Sequence, residues 1–167
     1  GYVYRHPGGT AGNLIDRQTE LFAQNAAYEI GIDKSVIYMD ISGWKLSHYV
    51  PKAVYCDFEA SESQLSTAME YLHKLHLVKP DPAVKEGKKL MQIASLTKGN
   101  LFREFQEIIV KVDKLYAAIQ EDAKRLGYER VLCHNDTYAP NYLCSDTQEV
   151  YLIDWEYAGL NYAANDI

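Results

Sequence analysis

The sequence lacks long apolar runs, a surplus of positive charge and a paired set of cysteines. No apolar stretch approaches the roughly 20 residues that cross a bilayer, so we expect no membrane insertion. The formal net charge is −6, with 17 basic and 23 acidic residues, which argues against nucleic-acid binding as the main function. Cys56, Cys133 and Cys144 have neither paired nor metal-like spacing. We interpret them as reduced thiols and expect a cytoplasmic location.

Repeats, low-complexity tracts and an initial methionine are also absent. The chain has 167 residues, of which 47% are hydrophobic and 24% charged. This size and balance are typical of one globular domain with a hydrophobic core. The chain begins with Gly1-Tyr2-Val3, in a stretch that alternates like a β-strand. We therefore expect a fold that needs further chain to be complete.

Hydrophobic periodicity predicts both helices and strands. Apolar residues recur at helical spacing over residues 14–30, 61–76 and 101–126. Short apolar segments at 2–5, 35–40, 131–132, 141–144 and 150–153 predict strands, the last two joined as a hairpin. This order predicts an α+β fold with a small strand-rich lobe and a larger helical lobe.

Two polar motifs near the end of the chain carry the chemical information. Residues 134–141 have the form H-x-D-x4-N, with His134, Asp136 and Asn141 at the fixed positions. The predicted hairpin ends at an acidic pair, Asp154 and Glu156. Phosphoryl transfer from ATP needs a carboxylate beside the acceptor hydroxyl and oxygen ligands for magnesium. The alternative is that these residues only form turns and end a strand.

Both motifs, with the run Asp154-Trp155-Glu156-Tyr157-Ala158-Gly159, resemble the choline/ethanolamine kinase family. This family belongs to the aminoglycoside-phosphotransferase-like branch of the protein-kinase fold. The resemblance implies that Asp136 is the catalytic base and that Asn141 and Asp154 bind Mg²⁺. It also implies that Glu156 assists a second metal ion or a cationic substrate, and that His134 supports the loop structurally.

The beginning of the chain resembles the same family. Residues 2–8 resemble the strand whose cation holds the ATP phosphates, which implies this role for Arg5, with Glu20 on the first helix as its ion-pair partner. The resemblance makes residues 39–43 the hinge between the lobes, where the backbone of Asp40 and Ile41 receives adenine. The alternative for Arg5 and Glu20 is a solvated pair on the surface.

Recognition of a quaternary ammonium group needs aromatic faces around the cation and a carboxylate nearby. Trp155 and Tyr157 are the candidate aromatic residues, with Asp136 and Glu156 as the acids. Tyr138 is a further candidate. Each aromatic side chain has core packing as its alternative.

Together these features predict a protein-kinase-like, two-lobed α+β fold, incomplete at both ends. Residues 1–50 would form a partial N-terminal lobe with the hinge, and residues 51–167 a partial helical lobe with the catalytic loop. The expected function is ATP- and Mg²⁺-dependent phosphorylation of choline or a related amino alcohol. One alternative is a kinase of another hydroxylated substrate, such as an aminoglycoside or a sugar. Another is a nucleotide-binding kinase-fold module without catalysis.

Overall fold

The computed structural model describes residues 1–8, 15–86 and 101–167, with the side chains of the last range from residue 106 onward. The chain forms two compact units, Gly1–Gly87 with Val131–Ile167, and Lys88–Arg130. The first unit holds two helices and all the strands of the described residues. In chain order its elements are β1 Tyr2–Arg5, α1 Arg17–Glu29, β2 Val36–Met39, β3 Lys45–His48, β4 Val54–Tyr55, α2 Glu62–His76, β5 Val131–Cys133, β6 Tyr142–Cys144, β7 Val150–Leu152 and β8 Gly159–Asn161.

The first sheet is antiparallel and has the strand order β1-β3-β2. In its register Tyr2 lies opposite His48, and Arg5 lies opposite Lys45. Residues directly opposite each other in an antiparallel pair project their side chains to the same face of the sheet. The pairing therefore sets Arg5 and Lys45 side by side.

The predicted hinge at residues 39–43 is wrong. These residues connect β2 to β3, which pair antiparallel, so they form the turn of a hairpin within one sheet. The Asp40 carboxylate accepts hydrogen bonds from the backbone N–H of Ser42, Gly43 and Trp44 and from the Ser42 hydroxyl. A short run of acidic, polar and glycine residues, such as 40–43, is compatible with a hinge between lobes and with a turn that an aspartate caps. The sequence of this run does not distinguish the two.

Helix α1 begins later than the sequence predicts because Asp16 caps it. The Asp16 side chain accepts a hydrogen bond of 3.0 Å from the Thr19 N–H. Leu14, the first residue of the predicted helix, lies outside the described residues. The helix ends at Glu29, and Gly31 follows with φ of +83°, a left-handed conformation that glycine adopts without strain.

Two further sheets carry the second half of the first unit. One has the order β4-β6-β7, and the other pairs β5 with β8. The predicted hairpin is present as β6 and β7, with Tyr142 opposite Leu152. Strand β4 joins this sheet rather than the first one, since Val54 pairs with Cys144. The division of the chain near residue 50 stays a prediction.

Helix α2 supplies much of the core. It is capped by Ser61, whose side chain accepts from the Gln64 N–H, as the capping pattern predicts. Its buried face, at Ala68, Leu72 and Leu75, packs with residues from α1 and the later strands. The largest fully buried apolar side chains of the chain are Trp155, Tyr142, Ile32, Leu75, Leu132 and Leu152.

The second unit contains helix α3, Leu101–Arg125, the longest helix of the chain. The predicted bounds, 101–126, agree with it closely. Gly127 follows with φ of +77°, and the Tyr128 N–H donates back to the Ala123 carbonyl, which closes the last turn. Within the described ranges, α1, α2 and α3 are each too short or too polar to cross a membrane.

Two leucines at the end of α2 give a matched test of the core. Leu75 is fully buried, whereas Leu77 is 69% exposed. We expect Leu75→Ala to lower the free energy of unfolding by about 2–5 kcal/mol, because it removes buried methyl groups and leaves a cavity. Leu77→Ala should change it by less than about 0.5 kcal/mol. Urea unfolding of both variants measures this, and equal losses would contradict the assigned core.

Candidate active site

A cavity of about 850 Å³ lies in the first unit, between the first sheet and the β6–β7 hairpin. One wall is β1 and β3, and one end is the segment that connects β3 to β4. The opposite wall ends at Asp154. Polar and charged residues line the cavity beside apolar ones; the former include Arg5, Ser35, Lys45, Ser47, His48 and Asp154.

The buried side chain of His134 fixes the loop after β5 by hydrogen bonds. This histidine is fully buried, and its Nε2 lies 2.9 Å from the carbonyl oxygen of Ile153. Its Nδ1 accepts a hydrogen bond of 3.3 Å from the Asp136 N–H, so the ring is neutral with its proton on Nε2. Burial lowers the pKa of His134, while the hydrogen bond to Ile153 opposes this. The ring thereby connects the loop to the hairpin.

A buried carboxylate that the sequence analysis missed, Asp166, braces the same loop. It accepts from the backbone N–H groups of His134 at 2.9 Å and Asn135 at 2.8 Å. His76 on α2 lies 2.9 Å from the same carboxylate. Asp166 stands 32 residues after His134 in a polar segment, so only the folded arrangement reveals this role.

His76, Cys133 and Asp166 bring potential metal-ligating atoms within 4.8 Å of one another. Both Asp166 oxygens already accept hydrogen bonds from backbone N–H groups. Burial raises the pKa of the Cys133 thiol well above its ordinary value, which keeps it protonated and unsuited to metal binding. We therefore interpret the cluster as a brace for the loop.

Asp136 and Asn141 are in direct contact. The Asn141 Nδ2 donates to the Asp136 carboxylate at 2.9 Å and to the Asp136 carbonyl oxygen at 2.8 Å. A short 3-10 turn, Ala139–Asn141, makes this contact possible by bringing position 141 back over position 136. Because the amide nitrogen faces Asp136, the Asn141 Oδ1 is available as an oxygen ligand.

The hairpin returns Asp154 to the same corner. The Ile153 N–H donates to the Asn141 carbonyl at 2.9 Å, so residue 154 directly follows a residue bonded to the loop that carries Asp136 and Asn141. Asp154 has φ of +67°, a left-handed conformation that is uncommon for an aspartate and recurs at functional sites. Its carboxylate makes no hydrogen bond or ion pair with any residue that the structure describes.

The three residues after Asp154 form a 3-10 turn, Trp155–Tyr157, and their side chains differ in burial. Trp155 is 1% exposed, donates its indole N–H to the Leu152 carbonyl and packs edge-on against His134. The predicted role of Trp155 in substrate binding is therefore wrong, because a core side chain offers no face to a ligand. Tyr157 is 45% exposed and stays a candidate.

Glu156 lies in a strongly charged setting. Burial raises its pKa, and the neighbouring acids Asp154 and Glu20 raise it further. Arg5 and Arg17 act in the opposite direction. An acid whose pKa is raised by burial and like charges gains from a nearby cation, so this position suits a metal ion or a cationic ligand.

Arg5 and Glu20 form the ion pair that the sequence predicts. The Arg5 Nη1 lies 2.7 Å from the Glu20 Oε1, and Glu20 is buried on α1. Arg17 binds the other Glu20 oxygen. The Arg5 Nε is buried without a hydrogen-bond partner among the described residues. The Arg5 side chain as a whole is 27% exposed and lines the cavity.

The turn at residues 40–43, which was predicted to be the hinge, contacts the side chains of Arg5 and Arg17. The Gly43 carbonyl accepts from the Arg5 Nη2 at 3.2 Å. Gly43 has φ of +95°, and a Cβ there would lie 2.7 Å from the Arg17 Nε, so the arginine packs where only glycine leaves room. Asp40 and Ile41 are outside the cavity wall, and His48, Tyr49 and Val50 line it instead.

Comparison with solved structures places this architecture among the protein-kinase-like folds. The chain is 23% identical to the choline kinase LicA from Streptococcus pneumoniae, with a TM-score of 0.78 over 97% of this chain and 58% of that one. It is 20% identical to the aminoglycoside phosphotransferase APH(2'')-Ib, solved with ADP, with a TM-score of 0.59 over 99% and 62% of the two chains. These likenesses establish the fold, an α+β fold of the protein-kinase type.

The sequence itself defines the family. Residues 4–167 match the choline/ethanolamine kinase family. Protein LicA of Haemophilus influenzae is 30% identical over 175 residues, which cover 99% of this chain and 63% of that protein. The chain belongs to the choline/ethanolamine kinase family, and it spans less than two thirds of the length of these relatives.

The buried His134 predicts a pH dependence of stability. Its folded-state pKa lies below the ordinary value of 6.5, so the unfolded chain binds a proton more readily. The free energy of unfolding should therefore fall as pH drops below about 6.5. His134→Gln should flatten this dependence, whereas the exposed His73→Gln should leave it unchanged. Urea unfolding between pH 5 and 7.5 tests this, and parallel curves for the wild type and His134→Gln would contradict it.

Proposed function

We propose that the protein transfers the γ-phosphoryl group of ATP to the hydroxyl of choline or a related amino alcohol. The observation that carries this proposal is the contact between Asp136 and Asn141, together with the hydrogen bond from Ile153 to Asn141 that sets the cavity-lining Asp154 beside them. Family membership supports a kinase that acts on choline-like substrates.

Asp136 is the proposed catalytic base. Its carboxylate accepts the Asn141 amide, which fixes its orientation and leaves the rest of the carboxylate for a substrate hydroxyl. The hydroxyl oxygen forms a bond to the γ-phosphorus as the bond from that phosphorus to the bridging oxygen of ADP breaks. Asp136 accepts the hydroxyl proton, and ADP leaves. Most of the catalysis is positioning and charge stabilisation, because little covalent chemistry falls to the protein.

The residues present fit a magnesium ion. Mg²⁺ prefers hard oxygen ligands, and the Asn141 Oδ1 and the unpaired Asp154 carboxylate provide them. Glu156, with its raised pKa, stands nearby as a further acid. When bound, the metal would neutralise charge on the β- and γ-phosphates. Asn141, Asp154 and Glu156 are the proposed ligands.

The cavity is the proposed ATP site. The apolar end near Tyr49, Val50 and Leu143 suits a purine ring. The opposite end carries Arg5, held by Glu20, and Asp154. A guanidinium that lines the cavity and is 27% exposed can reach phosphate oxygens there.

The acceptor is proposed to bind at Asp136, beside the exposed side chains of Tyr157 and Tyr138. Tyr157 is partly exposed and follows Glu156, so an aromatic face and an acid stand together there. Tyr138, which is 56% exposed on the catalytic loop, offers a second face. This combination fits a quaternary ammonium group better than a polyhydroxylated ring, because the cation is stabilised by both elements.

Replacement of the base tests the catalytic role directly. We expect Asp136→Asn to reduce kcat by at least about a hundredfold, because general-base catalysis is lost and the oriented carboxylate disappears. ATP affinity should stay within about twofold of the wild type, as Asp136 lies beyond the phosphates. Product formation from radiolabelled ATP, with choline, ethanolamine and kanamycin as acceptors, measures this. Unchanged turnover would exclude Asp136 as the base, and kanamycin as the best acceptor would shift the function to the aminoglycoside class.

Replacement of a metal ligand tests the magnesium site separately. Asp154→Asn removes a charged oxygen ligand, so we expect the Mg²⁺ concentration for half-maximal rate to rise at least about tenfold. The exposed Asp146→Asn, which lies at the far end of the β6–β7 hairpin, is the control and should leave it unchanged. An unaltered magnesium requirement in Asp154→Asn would remove this residue from the proposed ligand set.

A further inference from the structure

The cavity wall holds a second cation that the sequence analysis did not consider. Lys45 opens β3 directly opposite Arg5 on β1, so both side chains project to the same face of the sheet. Both residues line the cavity together with Asp154. Two positive side chains thus stand next to each other at the end of the cavity that holds the acids.

The Lys45 ammonium is held by one hydrogen bond and has donors that are not used. Its Nζ lies 2.5 Å from the Gln24 Oε1, which is its only hydrogen-bond acceptor among the described residues. An ammonium has three donors, so two are left for another acceptor. Gln24 is itself fixed, since its Nε2 donates to the buried Asp33 at 3.0 Å. Asp33 also accepts from Ser35, so its charge is already engaged.

The three cations differ in their partners. Glu20 binds both Arg5 and Arg17, whereas Lys45 makes no ion pair within the described residues. Like charges directly opposite each other in a sheet destabilise it. Burial and Arg5 lower the pKa of Lys45, while the acids Asp33, Glu20 and Asp154 oppose this shift. An anion bound between Arg5 and Lys45 would relieve both costs.

We propose that Lys45 is a second phosphate-binding residue of the nucleotide site, acting beside Arg5 on the polyphosphate of ATP. This inference rests on the proposed function. Gln24 fixes the position of the ammonium, and α1 therefore positions both cations, Arg5 through Glu20 and Lys45 through Gln24. The anion that fits two adjacent cations and the nearby Asp154 is a nucleoside di- or triphosphate with its metal ion.

The test compares ligands with and without phosphates. Calorimetric titration of the purified protein with ATP, ADP and adenosine gives the affinity of each in the presence of Mg²⁺. We expect Lys45→Met to weaken ATP and ADP binding at least tenfold and adenosine binding less than twofold. Lys45→Arg should restore at least half of the lost affinity on a logarithmic scale. Lys34→Met, an exposed lysine outside the cavity wall, is the matched control and should bind as the wild type does.

The outcomes separate this inference from the proposed function. Equal weakening of ATP and adenosine would overturn it, because it would show that Lys45 only supports the fold. Unchanged ATP affinity in Lys45→Met would also overturn it, while leaving the kinase proposal intact. If the wild type binds no ATP, both proposals fail. Should Lys45→Met not fold, as judged by its thermal melt, the same comparison with Lys45→Gln decides, since glutamine keeps a donor toward Gln24.

Discussion

The arrangement of the candidate site depends on one buried carboxylate. Asp166 accepts the backbone N–H groups of His134 and Asn135, and it also contacts His76 on α2. These bonds fix the turn in which Asn135 has φ of +66°. With the turn fixed, Asp136 points at Asn141. Buried networks of this kind specify one arrangement because an unsatisfied member is costly.

The opposite wall of the cavity is organised by charge. Glu20 on α1 holds Arg5 and Arg17, and Gln24, one helical turn later, holds Lys45. Helix α1 therefore carries Arg17 and holds Arg5 and Lys45 on the first sheet. The acids Asp154 and Glu156 follow the β6–β7 hairpin. This arrangement suits a ligand that carries both negative charge and a metal ion. ATP with magnesium has this character.

The sequence predicts the local elements well, because amphipathic periodicity and caps act over a few residues. Helices α2 and α3 and the β6–β7 hairpin appear where the pattern indicates them, and α1 does so with a later start. The Arg5–Glu20 pair appears as the family resemblance implies. The hinge prediction failed because a chain segment between two strands is compatible with a hairpin or a lobe crossing, and only strand pairing decides between them.

Side-chain burial was harder to predict than motif chemistry. Trp155 stands inside the acidic motif, yet its indole lies in the core and donates to the Leu152 carbonyl. Asp166 and Lys45 belong to no local motif. Their contacts run across 32 residues to His134 and across 21 residues to Gln24. Such contacts have no signature in a single sequence, whereas the spacing of Asp136, Asn141 and Asp154 does.

The most direct test of the central claim is the stoichiometry of the reaction. Phosphorus NMR of the protein with ATP, Mg²⁺ and choline follows every phosphorus species at once. Our account predicts that phosphocholine and ADP appear in equal amounts, at a rate that depends on choline. Release of inorganic phosphate without phosphocholine, or no loss of ATP, would contradict it.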